Sequence, residues 1–281
     1  AILFALGAAA LKRSSRWRIG VWRTTFLCNV FIGLVYLPGM AFGERPIPWQ
    51  SWWQPPLVGL LYLTGQTCTV LALTRGDVSV AGPMLALKIL AVALLVTGVF
   101  GTALPGWVWI SVVMATLGVA LLNWGGKPED RRRAARTAVV AGIAAIAFAG
   151  FDVALQHWAG AWGSIRFLSV MFATTALASF AFVPGFTEPL SQIPRAAWPT
   201  VAAGVGLLGT QSMIFGSTIA IYAHATECNV IYSSRGLWSV IVVVILGRWL
   251  GAEETGLPRS VLLARIVGAG LMLASIVLLV F

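Results

Sequence analysis

The chain has 281 residues, of which 59% are hydrophobic and 10% are charged, whereas a soluble domain carries about a quarter charged residues. This composition excludes an ordinary soluble protein, and the absence of apolar–polar alternation in the long apolar runs excludes a membrane β-barrel. The net charge of +10 does not indicate a nucleic-acid partner, since the cations lie at the ends of apolar runs, as in the loops of membrane proteins.

Ten membrane-spanning helices are predicted along the chain. They are the run before Leu11 and the spans 21–43, 56–74, 78–100, 106–124, 138–157, 164–184, 198–222, 226–247 and 259–281. The first run is too short to cross a bilayer by itself, so we expect further residues upstream of Ala1. The longest polar break, residues 125–136, is a basic central loop. It separates a first five-helix repeat, residues 1–124, from a second, residues 137–281.

Short motifs recur in the same order in the two halves. Gly20-Val21-Trp22-Arg23 is matched by Gly163-Ser164-Ile165-Arg166, and Thr64-Gly65-Gln66 is matched by Gly209-Thr210-Gln211. Because each half holds an odd number of spans, the two repeats must have opposite orientations in the membrane. The predicted fold is therefore an all-α polytopic membrane protein with ten transmembrane helices, arranged as two inverted five-helix repeats around a central cavity.

The distribution of cations predicts the orientation. Loops after odd-numbered spans carry thirteen of the nineteen Lys and Arg residues, and loops on the other face carry two. By the positive-inside rule the central loop is cytosolic. Arg23 and Arg166, near the starts of spans two and seven, are expected to extend to the lipid headgroups.

Lys88 and Arg235 are the strongest candidates for function. Each lies near the middle of an apolar run, and the two occupy matching places in the two halves. A cation at the centre of a membrane helix costs roughly 2.5–3.5 kcal/mol on insertion scales, so it normally faces a bundle interior or a wet cavity. The alternative for Lys88 is a structural ion pair with Asp152. Pro83, shortly before Lys88, is expected to kink span four.

Several polar residues within spans accompany the two cations. Asp152 and Gln156 share one face of span six, and Asp152 either neutralises a cation of a neighbouring helix or binds a substrate amine or coupling proton. Gln66 and Gln211 are the repeated amides, which either join helices or hydrogen-bond substrate.

The start of span nine adds a second group of candidates. Tyr232, Arg235 and Trp238 follow one another at helical spacing and could form an aromatic and guanidinium wall of a binding site, although packing is the simpler reading of Trp238. Glu227 and Asn229 are candidates for gating or coupling, and the alternative for Glu227 is an acidic residue that stabilises the helix start. We identified no catalytic residue, metal ligand set or cofactor motif.

The architecture and several motifs resemble the drug/metabolite transporter superfamily, in its EamA-like group. The resemblance rests on the Gly-x-x-Arg starts of spans two and seven and on the stretch from Gly65 to Leu85, where Ala72-Leu73 and Ser79-Val80-Ala81 resemble the family pattern. It implies a bacterial inner-membrane protein with a cavity between the repeats and alternating access. Lys88 and Arg235 resemble, by span and depth, the basic residues that hold phosphate in the sugar-phosphate branch.

The leading hypothesis is a secondary transporter, not an enzyme, for a small anionic or zwitterionic metabolite held between Lys88 and Arg235. A flippase for a lipid or lipid-linked anion is the first alternative, and a non-transporting membrane scaffold is the second. The expected partners are the small-molecule substrate and membrane lipids.

Overall fold

The computed structural model describes residues 1–42, 46–123, 130–239, 241–242 and 259–280, and the regular structure in this part of the chain is helical. The α-helices are α1 Ile2–Ser14, α2 Val21–Tyr36, α3 Gln54–Thr74, α4 Val78–Gly98, α5 Gly106–Leu122, α6 Arg131–Trp162, α7 Ser164–Ala178, α8 Trp198–Tyr222, α9 Ala225–Ser233 and α10 Arg259–Val280. Predicted positions 125–129 and 243–247 lie outside the described residues.

Seven helical stretches in the described part of the chain are long and apolar enough to cross a bilayer. They are Val21–Met40, Trp49–Thr74, Ser79–Gly98, Arg131–Trp162, Ser164–Gly185, Arg195–Tyr222 and Leu263–Val280. α5 is apolar but has 17 residues, and α1 has 13. The all-helical class is confirmed, while the count of ten crossings and the inverted repeats stay predictions.

Two helices differ from the predicted spans. α6 begins at Arg131, so the second half of the predicted central loop is helical, and Asp130 Oδ1 accepts a hydrogen bond from Arg132 N at 2.8 Å at this helix start. α9 ends at Ser233, and helical backbone resumes at residue 235, so span nine is not one continuous helix. α4, by contrast, continues through Pro83.

The chain divides into two compact units, each built from both sequence halves. The first unit comprises residues 1–63, 155–223 and 237–253. Within it α1 packs on α8, and α2 packs on α7 and α8. Glycine permits these contacts, since a Cβ added at Gly33 would lie 2.6 Å from Ala176 Cβ.

Arg23 is buried in the first unit and does not extend to headgroups, so the expectation for this residue is wrong. Its side chain is 1% exposed, and its Nη2 donates a hydrogen bond to Arg18 O at 2.9 Å. The same nitrogen lies 3.6 Å from Glu188 Oε2. The carbonyl and carboxylate groups around it make burial of the guanidinium possible.

The second unit comprises residues 64–154, 224–236 and 254–281. Its closest helix pair is α5 and α10. A Cβ added at Gly118 would lie 2.8 Å from Gly268 O, and one added at Gly268 would lie 2.7 Å from Gly118 O. Because the obstructing atoms belong to backbone, neither glycine can be enlarged unless the two helices move apart.

Gly268→Ala is expected to destabilise the protein by about 1–3 kcal/mol, the usual cost of overpacking a tight contact. The matched control is Gly270→Ala on the same helix, where the added Cβ meets nothing within 4 Å. Thermal unfolding in a neutral detergent measures the difference. Equal Tm values for the two variants would contradict the close α5–α10 contact.

Candidate functional site

A buried ion pair joins α4 and α6 in the second unit. Lys88 Nζ lies 2.8 Å from Asp152 Oδ2, and the two side chains are 14% and 0% exposed. α4 is held at its start by Asp77, whose Oδ1 accepts a hydrogen bond from Ser79 N at 3.0 Å. Both charged residues lie well inside apolar helices, where a charge without a partner is costly.

Asn229 brings α9 to the same carboxylate. Its Nδ2 donates a hydrogen bond to Asp152 Oδ2 at 2.7 Å and another to Ala225 O at 2.8 Å. Asn229 is buried, so both amide protons have partners within the protein. One oxygen of Asp152 therefore receives a charged donor from α4 and a neutral donor from α9.

Arg235 follows the interruption of span nine at Ser234. Its Cζ lies 4.6 Å from the centre of the Tyr232 ring, which is a cation–π distance. Arg235 is also close enough to act electrostatically on both Lys88 and Asp152. The two intramembrane cations predicted from sequence thus lie within range of one buried carboxylate.

Five buried side-chain oxygen atoms of this unit have no hydrogen-bond partner among the described residues, and two of them belong to predicted site residues. These two are Asp152 Oδ1 and Gln66 Oε1. An acceptor that lacks a donor in the protein can receive one from a ligand or from water. The second oxygen of Asp152 belongs to the carboxylate that pairs with Lys88, and it could bind an ammonium group.

Phe148 is a neighbour of Lys88 that the sequence analysis missed. Lys88 Nζ lies 5.2 Å from the centre of the Phe148 ring. A Cβ added at Gly65, the residue before Gln66, would lie 2.8 Å from the same ring. The ring therefore packs between α3 and the cation. Its place one helical turn before Asp152 is the only sequence signal that could have found it.

Three further predicted residues are assigned to the other compact unit. Gln156, Gln211 and Trp238 belong to the first unit. Trp238 packs there against Ala5, Ala9 and Val242, as the packing alternative expects. Gln211 is buried on α8, and Gln156 is half-buried on α6.

Glu227 stands in the first turn of α9, and its Oε1 lies 3.3 Å from His224 Nδ1. This position suits the helix-start alternative, because an acidic side chain is favourable there. In the described part of the chain, no three His, Cys, Asp or Glu side chains are grouped so that they could hold a metal ion.

The residues Lys88, Asp152, Asn229 and Arg235 are called the charged cluster below.

Comparison with known proteins finds a family similarity in the first part of the chain and a shared fold over nearly all of it. Residues 1–124 match the model of the EamA-like transporter family. One solved structure, titled only "Crystal structure of protein", has a TM-score of 0.71 and 18% sequence identity, and the match covers 99% of this chain and 94% of that one. At this identity it shows a shared fold and no more. No curated protein matches the chain. Residues 1–124 are thus similar to the EamA-like transporter family, and the seven helical stretches in the described part of the chain that could cross a bilayer indicate a multi-pass membrane protein.

Proposed function

We propose that the protein is a secondary transporter that moves a small anionic or zwitterionic metabolite across the membrane by alternating access. The match of residues 1–124 to the EamA-like transporter family supports membrane transport. The observation that supports the substrate class is that Lys88 lies 2.8 Å from the buried Asp152 carboxylate, in the compact unit that also contains Arg235. Cations that converge in a low-dielectric interior give strong stabilisation to an anionic group placed between them.

Each residue of the charged cluster has a role in this proposal. Arg235 holds a carboxylate or phosphate through two parallel N–H groups, and Lys88 adds a point charge. Asp152 Oδ1, which accepts no hydrogen bond from the described residues, receives the ammonium group of a zwitterion. Asn229 keeps Asp152 oriented through the 2.7 Å hydrogen bond.

The proposed mechanism uses two inverted repeats, with the central loop cytosolic in a bacterial inner membrane. Local structure supports the repeat. α2 ends in a 3₁₀ segment, Leu37–Met40, and α7 ends in another, Ser179–Gly185, and each segment contains a Pro-Gly pair. The same local geometry thus recurs at matched positions of the two halves. Movement of one repeat about the other would open the site to each side in turn.

Ligand-induced thermal stabilisation tests the substrate class. Purified protein is heated in a neutral detergent with carboxylates, phosphates, amino acids or amines, and the Tm of each sample is compared with that of the same variant without ligand. A ligand at a hundred times its Kd stabilises the folded state by about 2.7 kcal/mol. We expect an anion or amino acid to stabilise the wild type, and we expect Lys88→Ala and Arg235→Ala to lose that effect.

Arg195→Ala is the matched control, because this exposed cation lies in a 3₁₀ segment before α8 and outside the second unit. It should keep the full shift. Anion stabilisation that survives in both cluster variants would contradict the binding site. Loss of stability in those variants, with no ligand effect in the wild type, would favour a scaffold. Stabilisation by lipid-linked anions alone would favour a flippase.

A further inference from the structure

A basic cavity of about 630 Å³ lies in the second unit, apart from the charged cluster. It is formed by the end of α3, the turn that follows and the first turns of α6. Four arginines line it, together with one acidic residue: Arg75, Arg132, Arg133, Arg136 and Asp130. The proposed transport mechanism does not use any of them.

The wall of this cavity is fixed by hydrogen bonds. Arg133 Nη2 donates to Gly76 O at 2.9 Å, which ties α6 to the α3–α4 turn. Thr137 is 3% exposed, and its hydroxyl accepts a hydrogen bond from Asp77 N at 2.9 Å and donates to Arg133 O at 2.8 Å. Two hydrogen bonds thus join the α3–α4 turn to α6, and they fix the backbone that carries the arginines.

The positive charge of the cavity favours an anionic ligand. Among the described residues, four guanidinium groups and one carboxylate, that of Asp130, line the cavity, so the repulsion between the guanidinium groups is relieved when an anion enters. The planar fork of Arg matches the oxygens of a phosphate group, and Arg–phosphate pairs are often bidentate. A phosphate-bearing ligand therefore fits this cavity.

The surroundings favour a lipid over a free phosphate. The cavity also has apolar wall residues, among them Leu71 and Val140. Beyond it, α6 presents exposed apolar side chains at helical spacing, Val139 at 63%, Ile143 at 46% and Ile146 at 65%. They lie on a helix that is apolar enough to cross a bilayer. A ligand with a phosphate head and acyl chains can fill the cavity and cover this face.

We propose that the cavity binds the phosphate headgroup of an anionic phospholipid, with the acyl chains along the exposed face of α6. Basic pockets at the membrane surface of helical proteins commonly hold such headgroups. This site is independent of the substrate site, because it shares no residue with the charged cluster.

Lipid titration of the purified protein tests the proposal. Phosphatidylglycerol, phosphatidylcholine or inorganic phosphate is added in neutral detergent. Bound lipid is counted by native mass spectrometry, and Tm is recorded. We expect phosphatidylglycerol to bind at least about tenfold more tightly than phosphatidylcholine, and Arg132→Gln/Arg136→Gln to lose that preference. The control, Lys12→Gln/Arg195→Gln, removes as many charges outside the cavity and should keep it.

Each remaining outcome overturns the proposal in a specific way. Unchanged phosphatidylglycerol preference in Arg132→Gln/Arg136→Gln would show that the lipid binds elsewhere. Equal affinity for phosphatidylglycerol and phosphatidylcholine would show that the net charge of the headgroup does not determine binding. A Tm shift with inorganic phosphate as large as that with phosphatidylglycerol would assign the cavity to a free anion. Shifts are taken from each variant's own lipid-free Tm, so a change in basal stability does not affect the comparison.

Discussion

Asp152→Ala is expected to destabilise the protein by about 3–5 kcal/mol, the cost of leaving one member of a buried ion pair without the other. The substitution removes the carboxylate 2.8 Å from Lys88 Nζ and leaves an ammonium group with 14% exposure. It also removes the acceptor of the Asn229 hydrogen bond. The free energy of unfolding in mixed micelles and the Tm both measure the loss.

The double variant Lys88→Met/Asp152→Leu separates the cost of an unpaired charge from the cost of altered packing. Removal of both charges is expected to return most of the lost stability, since buried pairs are often replaced by apolar residues without penalty. Asp77→Ala is the matched single-carboxylate control, and it should cost about 1 kcal/mol through the lost helix cap of α4. If Asp152→Ala lowered the free energy of unfolding no more than Asp77→Ala does, Lys88 would be solvated. That result would contradict a buried Lys88–Asp152 ion pair.

The same double variant addresses the two readings of Asp152. If the carboxylate only neutralises Lys88, the double variant should be stable and should regain a response to anions through Arg235, because it lacks the unpaired Asp152 carboxylate that opposes an anion in Lys88→Ala. If Asp152 binds a substrate amine, the double variant should be stable but should lose its response to zwitterions selectively. Ligand-induced Tm shifts in Lys88→Met/Asp152→Leu therefore test whether Asp152 binds substrate. Because this double variant is expected to be stable, a general loss of stability does not affect the result.

Arg23→Ala is expected to destabilise the protein by about 3 kcal/mol. The side chain is among the largest that are fully buried, so its removal leaves a cavity. It also leaves Arg18 O without the 2.9 Å hydrogen bond. Arg18 has a φ of 53°, in the left-handed region that non-glycine residues rarely adopt, so its conformation depends on such contacts.

Glu188→Ala is the control for Arg23→Ala. The Glu188 side chain is 52% exposed, and exposed ion pairs contribute about 0–1 kcal/mol. Its removal should therefore change Tm little, while Arg23→Ala lowers it clearly. Similar small effects in the two variants would indicate that the Arg23 guanidinium is hydrated at the membrane surface, as the sequence alone suggested.

The apolar runs predicted the helices well, because the length of a hydrophobic run and its polar ends are local properties. α2, α3, α4, α7 and α8 all begin within a few residues of the predicted spans. Two predictions were wrong, the start of α6 and the unbroken length of span nine. The charge of residues 131–136 predicts a loop, but arginine is a good helix former and Asp130 accepts a hydrogen bond at the helix start.

Sequence by itself determined the membrane class, the place of most helices and the interior position of Lys88, because a bilayer penalises every exposed charge regardless of the fold. Only the tertiary structure decided which groups meet. Asp152 pairs with Lys88, Asn229 joins them, and Arg23 is buried beside Arg18. These contacts depend on the rotation and axial shift of one helix against another. Side-chain packing between elements sets both quantities, and no local pattern along the chain encodes them.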